Sequence, residues 1–445
     1  MRFITDNQTL EDLKILGRGD HSVISIFNRT VTRGGAELLD ELFRYPLSDA
    51  NVINHRSSII QYFASIKAVF PFSGELFDVL EQYLSNADER TRLSPDEHTL
   101  GKKLTHLIAE DTEYKNIYKG VAAVIDILHG LRSFIDSIGQ EDEFPYREEK
   151  NAIAELLSDP ALALLVKEQS NRKIPYNKVA AYDTLLRFRL RESIKKIVRP
   201  IYHLDVYISV AKVALQRGFV FPRALPKGQH TLQLEGVYHP QLKEPVANTL
   251  RMTPDSNLVF LTGANMAGKS TFMKSLGIAL FLAHMGFPVP ARKMTFSVFD
   301  GIYTTINLPD NLGLGASHFY AEVLRVKKLA KELSLSKDLF IIFDELFRGT
   351  NVKDAYDATI AITGAFAQQR NSMFVISTHI MEAGEVLRQQ FANISFQYLP
   401  TQMNGNDPVY TYTLEAGITD DRHGMVIVRN EGIIDILKNG KKKIS

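Results

Sequence analysis

Residues 258–271 read Leu-Val-Phe-Leu-Thr-Gly-Ala-Asn-Met-Ala-Gly-Lys-Ser-Thr, and this stretch decides the fold of the C-terminal half. Its first four residues form an apolar run that predicts a buried strand, and the residues from Ser270 to Met285 have the pattern of a helix. Between them, Gly263 to Ser270 match G-x-x-x-x-G-K-[S/T], and Thr271 follows. A strand, such a loop and a helix in this order typically bind the phosphates of a nucleotide. A glycine-rich turn without a ligand is the alternative.

The residue types in this loop suit a nucleoside triphosphate with magnesium. Glycines let the backbone curl so that several amides point inward, and the N-terminus of the next helix adds about half a positive charge. Lys269 would neutralise the β and γ phosphates, and the Ser270 hydroxyl would bind Mg²⁺. The residues expected at the nucleotide are Gly263, Ala264, Asn265, Met266, Ala267, Gly268, Lys269, Ser270 and Thr271.

A second apolar run ends in two carboxylates. Residues 339–343 are Leu-Phe-Ile-Ile-Phe and predict a buried strand, and Asp344 and Glu345 follow directly. A carboxylate in this place can hold Mg²⁺ through its water shell, and we assign that role to Asp344. Glu345 can orient and deprotonate an attacking water. A strand that merely ends in two acids is the alternative.

A histidine follows a third predicted strand, residues 374–376. In open α/β sheets ligands bind at the carboxyl ends of the strands, so His379 can reach a γ-phosphate or the attacking water. A structural histidine is the alternative. Because three strand ends would converge, we predict Glu345, His379 and Lys269 as the catalytic residues.

The two halves of the chain have different patterns. The N-terminal half has helical spacing in nearly every segment, and Pro200 predicts a kink or an interruption in a helix over about residues 180–215. In the C-terminal half, short apolar runs alternate with helical stretches, which is typical of a sheet with helices packed on it. We therefore predict an all-α domain over residues 1–228 and an α/β domain over residues 229–445.

Composition excludes several classes of protein. The chain of 445 residues has 52 basic and 51 acidic side chains, so it is not a polycationic nucleic-acid coat, although this balance does not exclude a local basic groove. Cysteine is absent, which excludes disulfides and thiolate metal sites. The longest uncharged run, residues 275–291, is shorter than the ~20 apolar residues of a membrane span and predicts a buried helix ending near Gly286. We expect a soluble, cytoplasmic protein without a membrane partner.

The motifs together resemble the ATPase domain of the MutS family of DNA mismatch-repair proteins, which belongs to the ABC-type ATPases. The resemblance rests on residues 262–271, on Asp-Glu-Leu-Phe-Arg-Gly-Thr at 344–350 and on Ser-Thr-His at 377–379. The Asn-Met pair in the loop and the Arg-Gly-Thr after the acids are narrower signals than a generic P-loop. The resemblance implies ATP and Mg²⁺ as cofactors, ATPase activity, and a homodimer that acts on DNA.

Other segments resemble the same family. Residues 310–319 resemble its signature region, which implies that Ser317 reaches the ATP bound by the other subunit. A hydroxyl at a helix N-terminus suits a γ-phosphate. Residues 22–56 and 203–206 resemble the core and lever domain. The resemblance thus implies an N-terminal all-α core and lever domain followed by a C-terminal ABC-type P-loop ATPase domain.

The sequence departs from the family pattern in several places. It begins at the core domain, so we expect the mismatch-reading and connector domains to be absent, and the clamp domain as well. Ala267 and Phe347 stand where the family usually has glycine. Pro245 or Val246 stands where an aromatic residue that stacks on adenine is expected, and Tyr412 is the candidate to replace it.

A basic strip is the candidate for DNA contacts. Its residues are spaced by four along a predicted helix and are Arg187, Arg191, Lys195 and Arg199. Such a strip can meet phosphates, and each contact adds affinity and salt sensitivity. The alternative is a solvated face paired with acids such as Glu192. No base-reading motif is visible, so we expect recognition of DNA shape or backbone.

Three functions fit these residues. The first is a dimeric ATPase whose closure around ATP moves helical levers on DNA. The second is an ATPase of the same mechanical class that acts on ribosomes or structured RNA, which the missing DNA-reading domains favour. The third is a nucleotide-gated scaffold with little hydrolysis, for which Ala267 and Phe347 argue. The intact catalytic candidates favour an active ATPase.

Overall fold

The structure is a computed structural model with helices and sheets. It describes residues 3–17, 19, 21–93, 107–139, 144–168, 173–306, 318–347, 350–404, 407–419 and 432–440. The chain forms two compact units, of which the sheet unit comprises residues 1–26, 43–57 and 217–445 and the helical unit comprises residues 27–42 and 58–216. The division into domains 1–228 and 229–445 stays a prediction. The compact units differ from it because residues 1–26, 43–57 and 217–228 belong to the sheet unit.

The N-terminal half is helical, as its apolar spacing predicts, and the described residues before Arg223 contain no strand. The helices are α1 (Asn7–Asp12), α2 (Val23–Phe27), α3 (Arg33–Arg44), α4 (Ala50–Ser65), α5 (Gly74–Ser85), α6 (Leu107–Ser137), α7 (Arg147–Leu157), α8 (Ala163–Val166), α9 (Tyr176–Asp183) and α10 (Arg191–Arg217). Short 3₁₀ segments cover Glu89–Thr91 and Pro160–Leu162, and a π-helical segment covers Thr184–Arg189.

Two details of the long predicted helix differ from the expectation. Of the two alternatives predicted for Pro200, a kink or an interruption, the interruption is wrong, because α10 continues through this proline. A proline inside a helix costs about 3 kcal/mol or more, and burial of the adjacent apolar face, including Ile197 and Ile201, offsets that cost. The irregularity lies earlier, in the π-helical turn, where a wider turn rotates the following side chains relative to a regular helix.

A buried carboxylate connects α10 to the start of α3. Asp205 is almost fully buried and accepts hydrogen bonds from the amides of Val31 and Thr32 and from the Thr32 hydroxyl, at 2.7–3.0 Å. Burial raises the pKa of Asp205, and these hydrogen bonds oppose the rise. Since a buried charge is costly unless it is hydrogen-bonded, this cluster fixes the approach of the two helices within the helical unit.

The structure describes twelve strands, and all of them lie in the sheet unit. They are β1 (Arg223–Leu225), β2 (Leu232–Val237), β3 (Asn248–Met252), β4 (Leu258–Gly263), β5 (Lys293–Ser297), β6 (Gly301–Thr305), β7 (Leu339–Phe343), β8 (Met373–Ser377), β9 (Ile394–Leu399), β10 (Thr401–Asn404), β11 (Asp407–Tyr410) and β12 (Glu415–Ala416). The helices of this part are α11 (Lys269–His284), α12 (His318–Leu333), α13 (Val352–Ala367), α14 (Met381–Gln390) and α15 (Ile433–Gly440).

The main sheet is mostly parallel and has the strand order β12-β9-β4-β8-β7-β6. The pairs β9–β4, β4–β8, β8–β7 and β7–β6 are parallel, and only β12 pairs antiparallel. Every residue of β4, β7 and β8 is buried, which explains why these strands are unbroken apolar runs without alternation. Because β8 lies between β4 and β7, the three strand ends that the sequence predicts to converge are neighbours.

Helix α11 is buried along most of its length, and its end agrees with the sequence. It ends at His284, and Gly286 has the left-handed φ of 71° that favours glycine after a helix. The part of the uncharged run that lies in α11, residues 275–284, is therefore a core helix. Within the part of the chain that the structure covers, no helix combines the length and apolarity needed to cross a bilayer.

A buried histidine in α11 makes the stability of the sheet unit depend on pH. The His284 Nδ1–H donates to the Leu47 carbonyl at 2.9 Å, and burial lowers the His284 pKa to about 4. In an unfolded chain the pKa of a histidine is about 6.5. The contribution of neutral His284 to the free energy of unfolding is therefore fully present above pH 6.5 and declines as the pH falls towards 4. We expect a loss of up to about 3 kcal/mol over this interval, measured by urea unfolding followed by circular dichroism.

The matched control for this prediction is His284→Gln, which cannot titrate. The difference between wild type and variant isolates the histidine from the carboxylates, which also titrate at low pH. If the free energy of unfolding of the wild type fell no more steeply with pH than that of the variant, His284 would not be buried in its neutral form.

Candidate functional site

The loop between β4 and α11 has the backbone that its glycines permit. Gly263 and Gly268 have φ angles of 145° and 98°. A Cβ on Gly268 would lie 3.0 Å from the Tyr412 ring, and a Cβ on Gly263 would lie 3.1 Å from the Leu399 carbonyl oxygen. The loop therefore requires glycine for conformation and for space at both positions.

Lys269 is folded back onto this loop. Its side chain is buried, and its Nζ donates to the carbonyl oxygens of Gly263 at 2.7 Å and Ala264 at 3.1 Å. Burial lowers the pKa of Lys269, and the negative charges of Asp344 and Glu345 oppose that shift. A cation is thus held beside two carboxylates at the start of α11.

Asp344 is held between two hydroxyl groups at the carboxyl ends of the strands. Ser270 donates its hydroxyl to Oδ2 of Asp344, and Ser377 donates to Oδ1 at 2.5 Å. The backbone amide of Asp344 donates to the Thr305 carbonyl oxygen at 2.9 Å. The carboxylate therefore has a defined orientation towards the first turn of α11.

Glu345 contacts the predicted histidine. Its Oε1 lies 2.6 Å from Nε2 of His379, and its amide donates to the Ser377 hydroxyl at 3.1 Å. Glu345 has a left-handed φ of 55°, which is uncommon for a residue with a side chain and occurs at functional turns. The side chains of His379 and Glu345 are 40% and 23% exposed, so substrate and water can reach the pair.

A cavity of about 740 Å³ adjoins these groups. From the predicted nucleotide loop it is lined by Ala264, Asn265, Met266, Gly268, Lys269, Ser270 and Thr271. Gly263 and Ala267 lie behind this surface, since both are buried. Glu345 lines the cavity directly, whereas Asp344 and His379 reach it through their partners Ser270 and Glu345.

The lining of the cavity also contains the candidates for contact with a nucleobase. Tyr412, Pro245 and Val246 all line it. Asn248 fixes the Tyr412 segment, because its side-chain amide donates to the Tyr412 carbonyl at 2.9 Å and its Oδ1 accepts from the Leu414 amide at 2.7 Å. Asn248 is a residue that our sequence reasoning missed, and no local pattern marks it.

The oxygen groups of the site fit magnesium. The described residues contain no cluster of three or more His, Cys, Asp or Glu side chains that could hold a metal. Ser270 and Asp344 nevertheless bring a hydroxyl and a carboxylate oxygen together. Mg²⁺ prefers hard oxygen ligands and is usually held by one or two protein groups together with water and substrate phosphates. This donor set suits it.

The predicted departures from the family pattern have structural explanations. Ala267 is 1% exposed, and its amide donates to the Ala264 carbonyl at 3.2 Å within the loop. Phe347 has a left-handed φ of 62°, the conformation in which glycine is favoured, and its ring packs 5.7 Å from that of Phe319. A methyl group and a buried ring are accommodated without opening the site.

Two serines of the quoted motifs have different outcomes. Ser317, predicted to act in the other subunit, lies outside the described residues. Ser377 is a residue whose role the sequence reasoning missed, although its position at the end of a strand was visible. Its hydroxyl joins Asp344 to the Glu345 amide.

The predicted basic strip is wrong at its first residue. Arg187 is 2% exposed, and its guanidinium binds Asp183 at 2.5 and 2.6 Å and the hydroxyl and carbonyl oxygens of Thr91. It lies in the π-helical segment, so the spacing of four does not continue a single exposed face from it to Arg191. Arg187 is an interior residue of the helical unit and is not available to DNA.

The remaining three basic residues do lie together. Arg191, Lys195 and Arg199 line a groove of about 410 Å³ in the helical unit. Lys195 pairs with Glu192 at 2.7 Å, which is the solvated alternative that the sequence also suggested for this face. The groove therefore contains three basic side chains, of which Lys195 is paired with an acid, and one carboxylate, that of Glu81.

Comparison with known proteins agrees with the motifs. A family model of MutS domain III matches residues 8–211, and one of MutS domain V matches residues 259–445. The DNA mismatch repair protein MutS of Persephonella marina is 28% identical over 265 residues, which is 58% of this chain and 30% of that protein. MutS of Staphylococcus haemolyticus is 30% identical over 264 residues, 56% of this chain and 29% of that protein. MutS of Thermus aquaticus is 35% identical over 197 residues, 44% of this chain and 23% of that protein.

These relatives are much longer than the matched region. The matches cover less than a third of the length of each of the three. The two domain models together match most of this chain, and the domain V match includes the phosphate loop. The chain belongs to the MutS family.

Proposed function

We propose that this chain binds and hydrolyses ATP with Mg²⁺ as the cofactor. The observation that carries the proposal is the contact of Glu345 with His379 beside the Asp344–Ser270 pair, at the ends of neighbouring parallel strands. A phosphate loop, a metal-binding oxygen pair and a base next to an imidazole are the groups that phosphoanhydride hydrolysis uses. The match to MutS domain V, over residues 259–445, supports this assignment.

In this proposal the phosphate loop and the start of α11 bind the triphosphate. The loop amides and the helix N-terminus would surround the phosphates, and Lys269 would exchange its carbonyl partners for phosphate oxygens. Mg²⁺, held by Ser270 and Asp344, would neutralise charge on the β and γ phosphates. Tyr412, which lines the cavity, would stack on the adenine ring.

Hydrolysis would rest on Glu345 and His379. Glu345 would accept a proton from a water as that water attacks the γ-phosphorus and the bond to the ADP oxygen breaks. His379, in contact with Glu345, would orient the carboxylate or donate to a γ-phosphate oxygen. The open side of this pair leaves room for the water and the phosphate.

We propose a homodimer as the active form. By resemblance to the family, Ser317 of one subunit would reach the ATP of the other, and closure of the two ATPase domains would move the helical core and lever domains. The division into domains 1–228 and 229–445 is part of this proposal.

DNA is the proposed polymer. The curated relatives are named DNA mismatch repair proteins, and this supports DNA over RNA or ribosomes. Arg191, Lys195 and Arg199 are the candidates for contact, since they share one groove. Cations of this kind bind phosphates rather than base edges, so we expect shape or backbone recognition with a steep salt dependence.

The test is phosphate release measured with Mg²⁺, alone and with homoduplex, mismatched and branched DNA and with structured RNA. We expect Mg²⁺-dependent hydrolysis whose rate changes about fivefold or more with at least one DNA form, as for coupled sites. Lys269→Met is the control for contaminating ATPases, because it removes the cation at the phosphates.

Each negative result has a separate meaning. A rate that responds to structured RNA and to no DNA form would mean that the polymer is RNA and not DNA. ATP binding without phosphate release, with Mg²⁺ and every polymer, would contradict the ATPase and favour a nucleotide-gated scaffold.

A further inference from the structure

The N-terminal segment covers the edge strand of the main sheet. Strand β6 pairs with β7 on one side only. On its other side the Ile4 amide donates to the Asp300 carbonyl at 2.8 Å, and the Ile302 amide donates to the Ile4 carbonyl at 3.1 Å. Edge strands carry unpaired backbone groups that must find partners, and here residues near the start of the chain supply them.

Side chains of helix α1 add to this contact. They bind Thr304, the second-last residue of β6. The Thr304 amide donates to the Thr9 hydroxyl at 3.0 Å, and the Thr304 hydroxyl donates to Oδ2 of Asp12 at 2.7 Å. The same Asp12 oxygen accepts from the Ile306 amide at 2.9 Å, just beyond β6. All of these groups are buried or half-buried, so the contacts are strong and specific.

Asp6 holds the same strand end through an arginine of α12. Its carboxylate binds the guanidinium of Arg325 and accepts from Lys328 at 2.7 Å. Arg325 is buried and donates in turn to the Thr305 hydroxyl at 3.1 Å and the Thr304 carbonyl at 2.8 Å. Burial by itself would raise the pKa of Asp6, but Arg325 and Lys328 outweigh it and keep that pKa well below its usual range.

The end of β6 is hydrogen-bonded to Asp344, the candidate metal ligand. The carbonyl of Thr305 accepts the amide hydrogen of Asp344 at 2.9 Å, and the carboxylate of Asp344 accepts from Ser270. A displacement of Thr305 would therefore move the backbone from which this carboxylate extends. Interiors are close-packed, so such a displacement is transmitted rather than absorbed.

We propose that Asp6, the residue before α1, and Asp12, the last residue of α1, are positioning residues for Asp344, acting through Arg325 and the end of β6. This inference rests on the proposed role of Asp344 in holding Mg²⁺. These two carboxylates lie more than 330 residues before Asp344 in the chain, and neither lines the candidate nucleotide cavity. Groups that orient a metal ligand usually affect metal affinity by about 10–100-fold. Asp6 and Asp12 act on Asp344 only through the backbone hydrogen bond between Thr305 and Asp344, so their effect should be smaller.

The test compares ATP affinity with Mg²⁺ and with EDTA by calorimetry, in the full chain. For wild type we expect Mg²⁺ to tighten ATP binding. In Asp12→Ala and Asp6→Ala that tightening should fall by about three- to tenfold, while the affinity in EDTA stays the same. Glu11→Ala is the matched control, because Glu11 is an exposed carboxylate of the same helix, and it should behave as wild type.

A milder variant covers the case in which either alanine variant fails to fold. Thr304→Val removes the hydroxyl bonded to Asp12 and keeps the shape of the side chain, and it should lower the Mg²⁺ effect in the same direction. Circular dichroism melting is the measure of folding for every variant. A purely structural role would lower the melting temperature without changing the ratio of the two affinities.

Two results with the variants would overturn the inference. One is an unchanged Mg²⁺ effect in folded variants of Asp6, Asp12 and Thr304, which would leave the proposed function intact. The other is an equal loss of affinity in Mg²⁺ and EDTA, which would indicate a loosened pocket. A wild-type protein that binds ATP equally with and without Mg²⁺ would overturn both this inference and the proposed metal role of Asp344.

Discussion

Glu345→Gln should lower the steady-state rate of ATP hydrolysis by about 10²–10⁴-fold and leave the affinity for ATP within about twofold of wild type. The amide keeps the size of the side chain and can keep a hydrogen bond to His379, but it cannot accept a proton from water. Phosphate release measures the rate, and calorimetry with Mg²⁺ and ATP measures the affinity.

Glu244→Gln is the matched control for this experiment. Glu244 is an exposed carboxylate that lines the same cavity, so its substitution changes the charge near the nucleotide by the same amount. It should retain nearly the full rate. If both variants lost activity equally, the effect would be electrostatic rather than that of a base at Glu345. If neither variant lost activity, Glu345 would not be the base.

Local patterns predict the elements that carry the site, because each pattern is short and continuous. The apolar runs at 339–343 and 374–376 are the cores of β7 and β8, and the run from Leu258 opens β4. The residues that follow them, Asp344 and His379, come near the loop because parallel strands end at one edge. The strand order itself, with β8 between β4 and β7, is not contained in any one pattern.

Contacts between distant segments could not be predicted in this way. The bond between Asp12 and Thr304 joins residues 292 positions apart, and neither residue belongs to a motif. Asn248 holds the Tyr412 segment from 164 positions away. Such pairs depend on the tertiary arrangement, which periodicity does not encode.

The prediction for Arg187 fails because helical spacing was assumed to be regular. A strip of cations spaced by four describes one helix face only if every turn is α-helical. The six residues of the π-helical segment have wider turns, which direct Arg187 towards Asp183 and Tyr83 in the interior. Its burial changes the expected phenotype from weaker DNA binding to lower stability.

Arg187→Ala should therefore destabilise the helical unit by about 3–5 kcal/mol. The substitution leaves Asp183, which is fully buried, without its cation, and it also removes the hydrogen bonds to Thr91. The Tyr83 hydroxyl would be the remaining partner of Asp183, at 2.9 Å. Because the chain has no tryptophan, urea unfolding is best followed by far-ultraviolet circular dichroism.

Two further variants separate the buried pair from charge in general. Arg189→Ala removes an exposed arginine of the same segment and should change the stability by less than about 0.5 kcal/mol. Arg187→Met combined with Asp183→Leu replaces both charges by apolar groups and should recover most of the loss, since the penalty lies in the unpaired carboxylate. A double variant as unstable as Arg187→Ala would place the effect in lost packing, and a fully stable Arg187→Ala would mean that the arginine is not interior in solution.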